Sequence, residues 1–214
     1  MPLPSNIPRY DSVDLIDLDV FPEHIVRRPA AVALAATWGK LEETERRLIM
    51  FEWGIHVVRD PGRNRLLIRD LASAFLQSFE GTFQVLESEA LKQRGETLHT
   101  WLATRPPYDL TCKALRTLRI LDAHIQSVGL AVGADRAYSA FASGGDPGWA
   151  VGWRFPAISL ADFQRIDRPK LDPAENAQWS SVAARRFANE LMRDGTHRLS
   201  ELVSAAQAVA GQRP

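Results

Sequence analysis

The chain has 214 residues, more than the ~100–150 of a common single domain, so we expect one larger domain or a domain with an appendage. Its 26 Lys and Arg residues balance 26 Asp and Glu residues, which excludes the overall basic excess typical of nucleic-acid-binding proteins and leaves only a local patch for such a role. The single cysteine, Cys112, excludes an internal disulfide framework and a cysteine-rich metal site, and this cysteine usage fits a reducing compartment.

The first 28 residues have the character of an extended arm. Pro2, Pro4 and Pro8 oppose a regular helix at the start, and acidic and apolar residues alternate from Asp11 to Asp19. We expect this alternation to form a short edge strand or an arm that docks elsewhere. Four carboxylates so close together can hold a divalent cation. The central Gly and terminal Glu of a calcium loop are missing, however, so we assign no metal ligands.

No apolar run in the sequence approaches the ~18–20 residues of a membrane span. The first ten residues also lack the basic and then apolar order of a signal peptide. We therefore expect a cytoplasmic protein with no membrane partner.

Two helices are predicted before the first strong turn signal. Pro29 can begin a short helix that runs to Trp38, where Gly39 ends it. From Glu42 to Val58, acidic residues precede basic ones, which is the order that the helix dipole favours, and dense apolar residues follow. This second helix should be central in the fold and should end at the Asp-Pro-Gly turn of residues 60–62.

The clearest predicted element runs from Arg65 to Arg94, where apolar residues recur at steps of three and four. Gly95 is the expected C′ residue of this helix. A short helical piece should follow over residues 96–104, and Asp109 should cap a third major helix that reaches Leu130. The helices of residues 42–94 should form a long antiparallel hairpin.

The composition changes towards the C-terminus. Residues 135–142 are expected to form one short turn of helix, and residues 143–172 form a Pro/Gly/Trp-rich irregular segment. Asp172 and Pro173 then mark a helix start, which should run to Gly195. A final small helix should cover residues 197–210.

These elements predict a mainly α fold, a helical bundle with an irregular segment near residues 143–172. Residues 1–28 form the arm, and residues 29–142 form the bundle core. Residues 143–214 add the irregular segment and the C-terminal helices, which should pack on that core.

Most catalytic signatures are absent from the sequence. No glycine-rich phosphate loop follows a strand, and no histidine pair has metal-ligand spacing on one helix, so we expect no cofactor and no metal. The histidine nearest to Cys112 is His124, about 18 Å away along one helix, which argues against a Cys–His nucleophile. We interpret Cys112 as a small buried hydrophobic residue.

Two stretches carry an arginine followed five residues later by a histidine, Arg94 with His99 and Arg119 with His124. This pattern resembles the signature of the HEPN superfamily, helical-bundle proteins of which many are metal-independent RNases. The second stretch, with Arg116 before it, is similar to the Arg-rich helix of some abortive-infection members. The first is similar to the motif of toxin-type members. The resemblance implies an RNA substrate, a homodimer and a role in a defence or toxin system.

The resemblance also implies that three residues are catalytic. His124 would act as general acid or base, and Arg119, with Arg116 beside it, would hold the scissile phosphate. A five-residue step on a regular helix turns about 140°, so Arg119 and His124 would meet across a dimer or at a distorted turn. The alternative for these residues is an ordinary solvated helix face.

A different feature of the sequence indicates a non-enzymatic function as the alternative. Trp149, Trp153, Arg154 and Phe155 lie in the irregular segment, and aromatic residues and arginine are enriched at interface hot spots. They can form a surface for a protein partner in a helical adaptor. The alternative is that they pin the segment onto the bundle.

Overall fold

The computed structural model describes residues 33–57, 65–124, 130–137, 148–157, 159, 161, 164 and 172–210. Within these ranges the chain forms six α-helices and one two-stranded sheet, and the predicted mainly α bundle is confirmed. The predicted arm of residues 1–28 and the turn at residues 60–62 lie outside the described residues. The elements are α1 (Ala35–Val57), α2 (Arg65–Leu86), α3 (Leu98–Ala103), α4 (Leu110–His124), β1 (Ala131–Ala137), β2 (Gly148–Arg154), α5 (Pro173–Ala184) and α6 (Ala188–Ala210).

Helix α1 is continuous through Gly39, so the predicted helix end at this residue is wrong. Trp38 and Leu41, on either side of the glycine, are both buried in the core, and only a continuous helix buries the two together. Gly39 itself faces open space. The glycine costs some helix propensity, and the burial of its neighbours outweighs that cost.

Helix α2 packs along α1 and continues into less regular turns. A π-helical turn covers Glu87–Leu91, a 3₁₀ turn covers Lys92–Arg94, and Gly95 ends the run. Gly95 has a φ of 69°, the left-handed conformation predicted for a helix C′ residue. The extent of this predicted helix is confirmed, while its π-helical turn has no signal in the apolar pattern.

The π-helical turn places two carboxylates against the N-termini of other helices. Glu89 accepts hydrogen bonds from the backbone N–H groups of Ala36 at 3.1 Å and Thr37 at 2.8 Å. Glu87 accepts one from the N–H of Leu98 at 3.1 Å. The first N–H groups of a helix have no partner within that helix and carry partial positive charge. The end of α2 therefore fixes the starts of both α1 and α3.

Two predicted N-caps are confirmed. The Asp109 carboxylate accepts from the N–H of Thr111 at 2.8 Å and opens α4. The Asp172 carboxylate accepts from the N–H groups of Ala174 at 2.9 Å and Glu175 at 3.1 Å and opens α5.

The C-terminal helices break at a different place from the predicted one. Helix α5 ends at Ala184, and α6 runs unbroken from Ala188 through Gly195. A Cβ atom at Gly195 would overlap the Leu115 side chain of α4. This glycine therefore allows α6 and α4 to approach closely, and it does not end a helix.

The strands form an antiparallel hairpin that the sequence analysis did not predict. Ala131 pairs with Arg154, and Val132 pairs with Trp153. Helix α4 covers Leu110–His124 and Leu130 lies directly before β1, so the predicted helix end at Leu130 is wrong, while residues 125–129 lie outside the described residues. The helical turn predicted over residues 135–142 is wrong for residues 135–137, which belong to β1. The short, glycine-containing strands gave only a weak alternation of apolar residues.

One hydrophobic core joins the helices. Phe75, Phe79 and Phe83 recur every four residues on α2, with ring centroids 5.8 and 5.4 Å apart, and all three are fully buried. Buried side chains from α1, α4, α5 and α6 surround them. No helix in the described part of the chain is long and apolar enough to cross a membrane.

The two corrected glycines give a matched pair of substitutions. Gly39→Ala should raise the free energy of unfolding by about 0.5–1 kcal/mol, because alanine is the better helix former and has free space here. Gly195→Ala should lower it by about 1–3 kcal/mol, because Leu115 has to move. Urea denaturation measures both. A destabilising Gly39→Ala, or a neutral Gly195→Ala, would contradict these assignments.

Candidate functional site

A polar groove lies along α4, with α5 on one side and α2 and α3 at its other edge. It has a volume of about 380 Å³. Cationic, aromatic and imidazole side chains share its lining, and they come from α3, α4, α5 and the connection before α4. They are His99, Tyr108, Lys113, Arg116, Arg119 and Trp179. This is the groove in which two of the predicted site residues lie.

The face of α4 that lines the groove follows the helical period. Lys113, Arg116, Thr117 and Ile120 are spaced three and four residues apart and all reach the groove. His124 is the last residue of α4, eleven positions after Lys113, so its backbone is turned by only about 20° from that of Lys113. The position of His124 is thus on the groove side of α4, while its side chain lies outside the described part of the structure.

Arg116 is held tightly by neighbouring groups. Its Nε and Nη2 donate to the two carboxylate oxygens of Glu80 at 2.6 and 2.9 Å, a bidentate pair between α4 and α2. Its Nη1 donates to the hydroxyl of Tyr108 at 3.0 Å, and its guanidinium lies 4.9 Å from the ring centroid of Phe83. Three of its five N–H groups are therefore used within the protein. These contacts hold α4 against α2 and Tyr108.

The surroundings of Arg116 and Tyr108 favour a charged guanidinium and a neutral phenol. Burial lowers the pKa of the Arg116 guanidinium, but the hydrogen bonds and charge of Glu80 outweigh burial and hold that pKa above its usual value. Burial also raises the pKa of the Tyr108 phenol. At neutral pH Arg116 is charged and Tyr108 is neutral, so the hydroxyl accepts from Arg116 and keeps its own proton for another acceptor.

Arg119 is held less tightly. Its Nη1 lies 3.9 Å from a carboxylate oxygen of Asp122, which is too long for a hydrogen bond. The same oxygen accepts a hydrogen bond from the Ser73 hydroxyl at 2.6 Å. The Arg119 side chain is 28% exposed. Its guanidinium therefore keeps donors that can reach an anion in the groove.

Lys113 is the cation of the groove that the sequence analysis missed. Its Nζ lies 5.4 Å from the ring centroid of Trp179 and 6.0 Å from that of Tyr108, so both aromatic faces stabilise its charge. No carboxylate oxygen of the described residues lies within 4.0 Å of this ammonium. The spacing of Lys113 and Arg116, one helical turn apart, was the signal in the sequence that could have found it.

The fold does not keep the two Arg–His stretches as separate pairs. Arg94 lies in the 3₁₀ turn, and its nearest acidic partner is Glu96 at 3.5 Å. His99 is exposed in the first turn of α3 and lines the groove together with Arg116 and Arg119. The structure thus separates Arg94 from the groove and brings His99 to the arginines of the second stretch.

The α5 side of the groove carries the opposite charge. Thr117 donates to the side-chain oxygen of Asn176 at 2.9 Å, and the amide of Asn176 donates to the carbonyl of Asp172 at 2.7 Å. Both Thr117 and Asn176 are buried, so this contact fixes α5 against α4. Asp172 and Glu175 line this side of the groove. The cations of α4 therefore face an acidic rim.

The aromatic segment predicted as a partner surface contributes to the core instead. Trp153 and Phe155 are 7% and 1% exposed and belong to the hydrophobic core. The Arg154 guanidinium lies 4.8 Å from the ring centroid of Phe187. These three residues match the alternative in which the segment is pinned onto the bundle. The side chain of Trp149 lies outside the described residues.

Comparison with models of protein families, with curated proteins and with solved structures finds no match to this chain. Its class is therefore defined by the structure itself, as a helical bundle with a polar groove along one helix. Among the described residues no group of three or more His, Cys, Asp or Glu side chains is placed to hold a metal ion.

Cys112 gives a direct test of the described packing. The thiol is buried, and burial, with a smaller contribution from the Asp109 carboxylate, raises its pKa to about 12. At pH 8 such a pKa leaves about one thiol in ten thousand ionised. We expect a thiol-reactive reagent at pH 8 to modify the native protein at least ~100-fold more slowly than the urea-unfolded chain. Equal rates in the two states would contradict the burial of Cys112.

Proposed function

We propose that the groove along α4 binds RNA and that the protein is a metal-independent ribonuclease of the HEPN type, or an inactive relative that retains RNA binding. One observation carries the proposal. Arg119, whose guanidinium lies 3.9 Å from the Asp122 carboxylate and makes no hydrogen bond to it, lines one groove with Lys113 and the imidazole of His99. The defence or toxin role and the homodimer are implied by the sequence resemblance alone.

The chemistry needs a phosphate site and a proton-transfer group. Arg119 and Lys113 would bind the non-bridging oxygens of the scissile phosphate and stabilise the negative charge that develops there. An imidazole would take the proton of the ribose 2′-hydroxyl, whose oxygen then attacks phosphorus. The 5′-oxygen leaves with a proton from a general acid, and the products are a 2′,3′-cyclic phosphate and a 5′-hydroxyl.

Two imidazoles can serve this reaction. His99 comes from α3 of the same chain and lines the groove. His124 follows Arg119 by five residues on α4, and the homodimer that the sequence resemblance implies would bring it to the phosphate held by Arg119 of a second copy. Arg116 would support the reaction by fixing α4, since Glu80 and Tyr108 hold its guanidinium.

Cleavage of a 5′-labelled single-stranded RNA in the presence of EDTA tests the proposal. We expect Arg119→Ala and His124→Ala each to lower the rate by at least ~100-fold, because each removes a group from the transition state. Arg94→Ala is the matched control, since this arginine belongs to the other Arg–His stretch and pairs with Glu96 outside the groove.

For an inactive relative the same variants are compared for RNA binding. We expect Arg119→Ala to weaken the binding and Arg94→Ala to leave it unchanged. A wild-type protein that neither cleaves nor binds RNA, or an Arg119→Ala variant that does both as well as wild type, would contradict the proposal.

A further inference from the structure

A second polar groove lies between α1 and α2. It has a volume of about 360 Å³, and Lys40, Arg47, Gln77 and Gln84 are among the residues that line it. Gln84 also lines the groove along α4. The two grooves therefore meet on the exposed face of α2 at this glutamine.

The Lys40 side chain crosses α2 near the place where the grooves meet. Gly81 has no side chain, and a Cβ atom placed there would lie 2.7 Å from Cε and 3.7 Å from Nζ of Lys40. The Lys40 side chain thus lies directly over the backbone of α2. Gly81 is three residues before Gln84, so the place where Lys40 crosses α2 lies next to the shared amide.

The second groove carries more positive than negative charge. Glu43 interacts with two cations, Lys40 Nζ at 2.6 Å and Arg47 Nη2 at 3.8 Å, so one carboxylate faces two basic groups. A single carboxylate neutralises only one of them. The second groove therefore has a local positive excess, with two glutamine amides beside its cations.

The floor of the second groove is firmly fixed. The Thr44 hydroxyl lies 3.1 Å from both the Ser78 and the Thr82 hydroxyls, and all three residues are buried. Thr44 and Thr82 also donate to backbone carbonyls in their own helices. This satisfied network joins α1 to α2 and keeps Lys40 and Arg47 in a constant relation to Gln84.

We infer that the two grooves form one continuous path for single-stranded RNA across α2. The groove along α4 holds one phosphate at Arg119 and Lys113, and the groove between α1 and α2 holds a nearby phosphate at Lys40 and Arg47. The two cation pairs lie in separate grooves that share Gln84, so a ligand that reaches both is a chain with repeated negative charges. Gln77 and Gln84 offer amide groups to the bases between them. This inference rests on the proposed function.

Binding of uncleavable 2′-O-methyl oligouridylates of 3 and 12 nucleotides, followed by fluorescence anisotropy, tests the path. Lys40→Ala with Arg47→Ala should weaken binding of the 12-mer at least ~10-fold and leave the 3-mer within about 2-fold. The slope of log Kd against log salt for the 12-mer should fall by about 1.4, as expected for two lost phosphate contacts on a single strand. Arg94→Ala with Arg186→Ala, two arginines that line neither groove, is the control.

Gly81→Leu tests the path at the place where Lys40 lies over α2, because leucine would occupy that space and displace the end of Lys40. Leucine is a good helix former, and the atoms it displaces belong to the flexible end of Lys40, so the variant should fold. It should weaken the 12-mer at least ~5-fold and leave the 3-mer unchanged. Thermal unfolding checks that the variant is native.

The outcomes distinguish the inference from the proposed function. Wild-type affinity for the 12-mer in the Lys40/Arg47 and Gly81 variants, together with weakened binding of both oligomers by Arg119→Ala, would overturn the path alone. Wild-type affinity in Arg119→Ala, or no RNA binding by the wild-type protein, would overturn both. If poly-glutamate competes as effectively as RNA, the inferred ligand would be an acidic protein and not RNA, and the path for RNA would be overturned.

Discussion

The ion pair between Arg116 and Glu80 is the interaction on which the groove depends. It joins α4 to α2 through two hydrogen bonds of 2.6 and 2.9 Å and joins the connection before α4 through Tyr108. Removing a charge pair from water is costly, and bidentate geometry with a further hydrogen bond offsets that cost. Because Arg116 is fixed, the rotation of α4 about its axis is fixed too. The helical period then places Lys113 and Ile120 along the groove.

The basic residues of α4 have different partners in the fold. The sequence motif gave Arg116 and Arg119 the same role, because both precede His124 on one helix. Their partners in the fold differ, since Arg116 has a close bidentate carboxylate and Arg119 has only a carboxylate at 3.9 Å. Arg116 is therefore engaged within the protein, and Arg119 and Lys113 are the cations that the proposed function assigns to the ligand.

Local chemistry made much of the fold predictable. The caps at Asp109 and Asp172 and the left-handed Gly95 depend on neighbours in sequence, and all three are confirmed. The helix ends predicted at Gly39 and Gly195 were wrong. A glycine can end a helix or allow close packing, and only the tertiary contacts distinguish these uses. The hairpin was missed because its pattern is short.

The groove itself was predictable only in part. The helical period places Arg116 and Arg119 on one side of α4 from sequence alone. The partner of Arg116, however, lies 36 residues away on α2. His99 reaches the same groove from the start of α3, which Glu87 in the π-helical turn helps to hold by accepting from the N–H of Leu98. No pattern of spacing in the sequence encodes these two contacts.

The most direct test of this account is a double-mutant cycle between Glu80 and Arg116, measured by urea denaturation with Glu80→Ala, Arg116→Ala and the double variant. If the pair fixes α4, the two substitutions should be coupled by about 2 kcal/mol, within the range for partners in one ion-pair network. The double variant should then lose less stability than the two single losses added together. A coupling energy near zero would show that the pair does not hold α4 in place, and it would contradict the account of the groove.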